Sequence, residues 1–105
     1  MKRIILACAA GMSTSMVVTR MEKEAAARGL SYQIYAIPEQ ELREELQNYA
    51  GEVAVVLLGP QVRFKLEENR KLTDSHRIPI AVIDTLAYGT LNGAKVLDQA
   101  LALIN

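Results

Sequence analysis

Residues 8 to 15 read Cys8-Ala9-Ala10-Gly11-Met12-Ser13-Thr14-Ser15, directly after the apolar run Ile4-Ile5-Leu6-Ala7, and Cys8 is the only cysteine of the chain. A thiol in its thiolate form is a strong nucleophile, and its microenvironment decides how much of that form is present. The segment from about Ser13 onward reads as the opening of a helix. The first turn of a helix leaves backbone N–H groups unpaired and carries about half a positive charge, which suits a phosphate group or a thiolate. Ala9, Ala10 and Gly11 keep the backbone open to close approach, and Ser13, Thr14 and Ser15 offer hydroxyl donors to phosphate oxygens. Met12 is the one bulky side chain in the stretch. The same residues also admit a purely structural reading, with Cys8 a small buried hydrophobe ending a strand and Ser13 a helix N-cap.

The elements that must hold this loop follow from the hydrophobic pattern. Arg3 to Ala7, Tyr32 to Ile37, Val53 to Leu58 and Ile80 to Ile83 are short runs rich in β-branched and other apolar residues. Most lack alternation, as strands buried on both faces do. Between them, Val17, Met21 and Ala25 recur every four residues up to Gly29, and Leu42, Leu46 and Tyr49 repeat the pattern before Gly51, predicting two amphipathic helices with glycine stops. A third helix opens at Pro60 and carries Val62, Leu66 and Leu72. A fourth runs from about Asn92 with Ala94, Leu97, Leu101 and Ile104 on one face, capped by Asn92 or Thr90. Strand and helix thus alternate four times, which predicts an α/β fold: one open, four-stranded parallel sheet with helices on both faces. Ligands of such sheets sit beyond the C-terminal strand ends, where the strand order reverses. The candidate site loops are therefore Cys8 to Ser15, Ile37-Pro38-Glu39, Gly59-Pro60-Gln61 and Asp84 to Gly89.

The chain has 105 residues, half of them hydrophobic, which is enough for a single core and predicts one domain over residues 1–105. Lys plus Arg and Asp plus Glu number 12 each and alternate without blocks, so a nucleic acid or an anionic membrane surface is not an expected partner. A lone cysteine makes no internal disulfide, in keeping with a reducing, cytoplasmic setting. The start mimics a lipoprotein signal at Leu6-Ala7-Cys8, but the four apolar residues Ile4 to Ala7 fall short of the roughly 7–15 that an export signal needs. No run approaches the ~20 apolar residues of a membrane span.

Two kinds of phosphoryl chemistry compete for Cys8. A low-molecular-weight thiol phosphatase, or an arsenate-reductase-like enzyme, uses Cys, five residues, Arg, then Ser or Thr. Ser15 matches that signature, but Thr14 stands at the arginine position, and none of Asp74, Asp84 and Asp98 precedes a proline as the phosphatases' general acid does. Without the arginine fork, transition-state charge on the phosphoryl group loses a major stabiliser, so hydrolysis is disfavoured. A carrier that accepts the group on sulfur and passes it on intact gains from slow hydrolysis.

The string Cys8 to Ser15 resembles the phosphorylated loop of the IIB components of the sugar phosphotransferase system, lactose/cellobiose/chitobiose class. The resemblance continues in Leu57-Leu58-Gly59-Pro60-Gln61-Val62, Val82-Ile83-Asp84 and Tyr88-Gly89, in order along nearly the whole chain. It implies a phosphatase-like or flavodoxin-like four-stranded domain, in agreement with the pattern above. It implies that Cys8 takes phosphate from a phosphohistidine on a partner IIA protein and delivers it to a disaccharide bound in the membrane permease IIC, with no cofactor and no metal. On this view the backbone of Ala9, Ala10, Gly11, Met12, Ser13, Thr14 and Ser15 cradles the phosphate, Met12 offers an adaptable partner surface, and Met16, one turn into the helix, either joins that surface or belongs to the core. Gln61 and Asp84 border the site or serve their own turns; Tyr88 is either core edge or partner surface. His76, in the polar stretch Thr73 to Arg77, has no expected site role.

Overall fold

The structure, a computed structural model, describes residues 1–9 and 12–104, and the side chains of all of these except residues 12 and 13. Its elements are β1 (Lys2–Cys8), α1 (Met12–Ala27), β2 (Tyr32–Pro38), α2 (Leu42–Tyr49), β3 (Val53–Leu58), α3 (Leu66–Ser75), β4 (Ile80–Val82), α4 (Thr85–Gly89) and α5 (Gly93–Ile104). Short 3₁₀ turns cover Glu39–Glu41, Ala50–Glu52 and Pro60–Lys65. The four strands form one parallel sheet in the order β2-β1-β3-β4.

β1 is flanked on both sides, and Ile4 to Cys8 are all buried, which explains its unbroken apolar run. Ile4 and Leu6 face a core shared with Val17 and Met21 of α1 and with Val96, Leu97 and Ala100 of α5. Ile5 and Ala7 face the opposite core, shared with Leu42 and Leu46 of α2. Helices therefore cover both faces, as expected. Burying one such leucine or isoleucine stabilises the fold by roughly 2 kcal/mol, so β1 contributes more per residue than any surface ion pair.

Helix ends follow their local chemistry. α1 closes with Gly29 at φ +71°, where the Leu30 N–H donates to the Ala25 carbonyl at 2.9 Å and the Gly29 N–H to that of Ala26 at 3.1 Å. Asn92 caps α5, its Oδ1 accepting from the Lys95 N–H at 3.1 Å. Three expectations need correction. The segment after Pro60 is a 3₁₀ stretch with a kink at Val62 (φ −116°, ψ 23°), followed by α3 from Leu66, which accounts for its loose periodicity. The segment from Asp84 to Gly89 is not a loop, because Thr85–Gly89 forms a short helix. Tyr49 is not a core residue: it is exposed, and the Arg3 guanidinium carbon lies 3.8 Å from its ring centroid.

Near Arg3, Tyr35 donates its hydroxyl proton to Glu45 and accepts from Arg3 Nη1 at 3.2 Å. Burial, reinforced by the Glu45 hydrogen bond and opposed by Arg3, pushes the Tyr35 phenol up from its ordinary value to about 12. An acid raised on folding contributes stability that is complete below its unfolded value near 10 and is lost as pH rises through about 12. Chemical denaturation from pH 9 to 12 therefore should show wild-type stability falling in the upper part of that range, and Tyr35→Phe falling less. Parallel curves would refute this role.

Candidate functional site

The strand order reverses between β1 and β3, so the C-terminal tip of β1, residue Cys8, lies at the topological switch point of the sheet. Cys8 pairs with Pro38 of β2 across one side. On the other, Gly59 follows β3, and its N–H donates to the Ala7 carbonyl at 2.8 Å. A Cβ on Gly59 would stand 3.3 Å from Cys8 Cβ and 3.1 Å from Gln61 Oε1, so only glycine lets this chain pass beside the thiol without pressure. Gly59-Pro60-Gln61 reads from the sequence as a border of the Cys8 loop or as a turn before a helix; the structure has both the 3₁₀ turn from Pro60 and Gly59 beside Cys8.

Cys8 is a free thiol, 5% exposed, and its Sγ donates to the Ile37 carbonyl oxygen at 3.6 Å. The segment Ile37-Pro38-Glu39 is a candidate by its place at a strand end, and the contact it makes comes from the Ile37 backbone and not from a side chain. Ala9 is exposed next to the thiol. Ala10 and Gly11 lie outside the described residues, as do the side chains of Met12 and Ser13. α1 begins at Met12, so Ser13 sits within the first turn and not ahead of it as an N-cap.

Thr14 and Ser15 behave differently. Ser15 is exposed, whereas Thr14 is fully buried and its Oγ1 lies 2.7 Å from Tyr88 Oη. Tyr88 is itself buried, which decides between core edge and surface in favour of the core. Asp84 caps α4, with Oδ2 accepting from the Ala87 N–H at 2.9 Å. Met16 is half exposed, and His76 is exposed at the end of α3. Among the described residues no His, Cys, Asp and Glu side chains gather as a metal site, and every buried side-chain nitrogen and oxygen has a hydrogen-bond partner. No described helix is long and apolar enough to cross a membrane.

A groove of about 820 Å³ lies between α1 and the turn before α5 and is lined by Met16, Arg20, Lys23, Thr90 and Asn92. It does not include Cys8. The chemistry at the strand tip outweighs that volume, because the groove has no thiol and its polar side chains are exposed or half-exposed.

Comparison with known proteins adds to this geometry. A family model described as "PTS system, Lactose/Cellobiose specific IIB subunit" matches residues 3–99. The oligo-beta-mannoside-specific EIIB component of Bacillus subtilis (strain 168) is 39% identical over 104 residues, covering 99% of this chain and 97% of that protein. The cellobiose-specific EIIB component of Lactococcus lactis subsp. lactis (strain IL1403) is 42% identical over 105 residues, with 99% and 97% covered. Among solved structures, a cellobiose-specific phosphotransferase IIB component from Borrelia burgdorferi superposes with a TM-score of 0.76 at 42% identity, covering 99% of this chain and 92% of that one. The lactose-specific IIB domain from Streptococcus pneumoniae superposes with a TM-score of 0.81 at 16% identity, covering 99% and 98%, and shares the fold.

Proposed function

Because the chain belongs to the lactose/cellobiose-specific IIB family, whose members are sugar-specific phosphotransferase components of the phosphotransferase system, we propose that it carries a phosphoryl group on Cys8. The observation that supports this most is the position of a lone, buried thiol at the switch point of the sheet, six residues ahead of the buried Thr14. In the first step the Cys8 sulfur attacks the phosphorus of a phosphohistidine on a IIA partner. The S–P bond forms, the P–N bond breaks, and the thiol proton ends on the departing imidazole nitrogen. In the second step a sugar hydroxyl bound in the IIC permease attacks the same phosphorus, the P–O bond forms, the S–P bond breaks, and the hydroxyl proton ends on the departing Cys8 sulfur, which restores the thiol. Backbone N–H groups between Ala9 and Ser15, including those of the first turn of α1, hold the phosphoryl oxygens.

Residues 1–105 act as one cytoplasmic domain in this reading, with no cofactor and no metal. Relatives of similar identity carry names for different sugars, oligo-beta-mannoside, galactose and cellobiose, which fits an acceptor chosen by the permease and not by this chain; we read that acceptor as a disaccharide of the cellobiose, chitobiose or lactose kind. Thr14, where a thiol phosphatase has its arginine, argues for transfer over hydrolysis. A buried neutral hydroxyl already bonded to Tyr88 is no bidentate cationic clamp.

Two partners must reach Cys8 from the same sheet edge. Met16 (51% exposed), Phe64 (76%) and Leu86 (71%) stand on the elements that follow β1, β3 and β4 at that edge. Exposed apolar side chains on the elements that leave one sheet edge suit short-lived docking. Leu86→Asp is expected to raise the KM for phosphorylated IIA about tenfold, the effect of losing one well-placed contact, without lowering the melting temperature. An unchanged KM would remove Leu86 from the docking surface. The reading as a whole is tested by discharge: phosphorylated protein should lose its phosphate to a disaccharide only when permease vesicles are present. Loss to water alone at the same rate would count against it.

A further inference from the structure

Tyr88 and Thr14 are separated by 74 residues, yet their hydroxyls meet at 2.7 Å with both residues buried. On the Thr14 side the bond holds the third residue of α1, whose N–H belongs to the four that a helix leaves without an internal partner. On the Tyr88 side it is anchored unusually well for a helix of five residues. Asp84 caps α4, and the Asp84 N–H donates to Gln99 Oε1 at 2.9 Å. Gln99 Nε2 in turn donates to the Val82 carbonyl at 2.7 Å, so one α5 side chain spans the junction between β4 and α4. The far end is closed by Leu91 at φ 54°, a left-handed conformation that leucine rarely adopts, with the Asn92 N–H donating to the Ala87 carbonyl at 2.8 Å. A short helix held at both ends is a rigid post.

We propose that Tyr88 is a positioning residue for phosphoryl transfer: from this post it fixes Thr14, and through Thr14 the first turn of α1, against the tip of β1 where Cys8 stands. The inference rests on the carrier reading above. Donor groups aimed at a transferring phosphoryl group are effective when they need not reorganise during the reaction. A buried hydrogen bond at one end of that turn supplies such constraint without placing a charge beside the thiol. Tyr88 touches neither phosphate nor partner in this role; it acts through Thr14.

The test separates position from packing by a double-mutant cycle. Removing one partner of a buried hydrogen bond strands the other, whereas replacing both by apolar groups of similar shape is nearly neutral for stability. Tyr88→Phe and Thr14→Val should each lower the melting temperature, and the double variant should recover most of that loss. Single-turnover phosphorylation from phosphorylated IIA should behave otherwise. Tyr88→Phe should slow the saturated rate about tenfold, the kinetic equivalent of one lost hydrogen bond, with KM unchanged. The double variant should stay as slow as the slower single variant. A double variant that regains the wild-type rate along with its stability would reduce the pair to packing. A raised KM at an unchanged saturated rate would make Tyr88 a docking residue and overturn the inference. Wild-type protein that accepts no phosphate would instead refute the carrier reading itself.

Discussion

Cys8→Ser is expected to abolish phosphoryl acceptance, lowering the rate by about 10⁴-fold or more, the order seen when a covalent nucleophile is removed. The substitution keeps the geometry. The serine C–O bond is shorter than C–S, so Oγ stands farther from the Ile37 carbonyl than the 3.6 Å of Sγ and is left weakly paired. The stability cost should stay near 1 kcal/mol, which a thermal melt resolves as a shift of a few degrees. Activity and stability thus part company, as expected for a reactive group and not for a core cysteine. If the thiol were only a small hydrophobe closing β1, Cys8→Ser would show the same small stability shift and no change in phosphate uptake. Cys8→Ala provides the second variant, since it removes the nucleophile without introducing a hydroxyl.

Gly93→Ala is expected to produce the largest loss of stability. Gly93 opens α5 where that helix crosses α1, and a Cβ there would lie 2.5 Å from the Arg20 carbonyl carbon and 2.6 Å from both Arg20 Cβ and the Met21 nitrogen. Two of these three atoms are backbone, which cannot swing aside, so the helices must separate. Overpacking of this kind costs about 3 kcal/mol at the upper end of its usual range. The gain in helix propensity from Gly to Ala offsets at most ~1 kcal/mol of it. A net loss of roughly 2 kcal/mol in a domain of this size should lower the melting temperature by about 10 °C. A melting temperature within a degree or two of wild type would show that the α1/α5 crossing yields more readily than its contacts imply. Cys8 lies on another element, so below the transition the variant should still take up phosphate.

The parallel sheet was legible because its central strands β1 and β3 are buried on two faces and write themselves as apolar runs, while α1, α2 and α5 repeat their apolar residues at helical spacing. The tip of β1 was legible for the same reason: the run ends at a lone cysteine and gives way to small residues. What local patterns could not carry was contact between distant segments. Thr14 reads as one of three equivalent hydroxyls, and nothing within ten residues of it says that Tyr88 will cover it. The short α4 was missed because five residues are too few for a period to show, and Asp84 reads equally as a cap or as a loop acid until Ala87 is seen donating to it. Tyr49 fell on the apolar stripe of α2 by spacing, yet an aromatic ring at a helix end serves a neighbouring cation as well as it serves a core. The break at Val62 had a trace in the sequence, in the uneven spacing of Val62, Leu66 and Leu72.

The most direct test of the central claim is the intact mass of the purified protein after incubation with phosphoenolpyruvate, the general phosphotransferase proteins and IIA, followed by location of the added group on the chain. The account predicts a gain of one phosphoryl group, carried on Cys8 and absent from Cys8→Ser. No gain in the wild type, or a phosphoryl group found on His76 or on a hydroxyl residue, would contradict it.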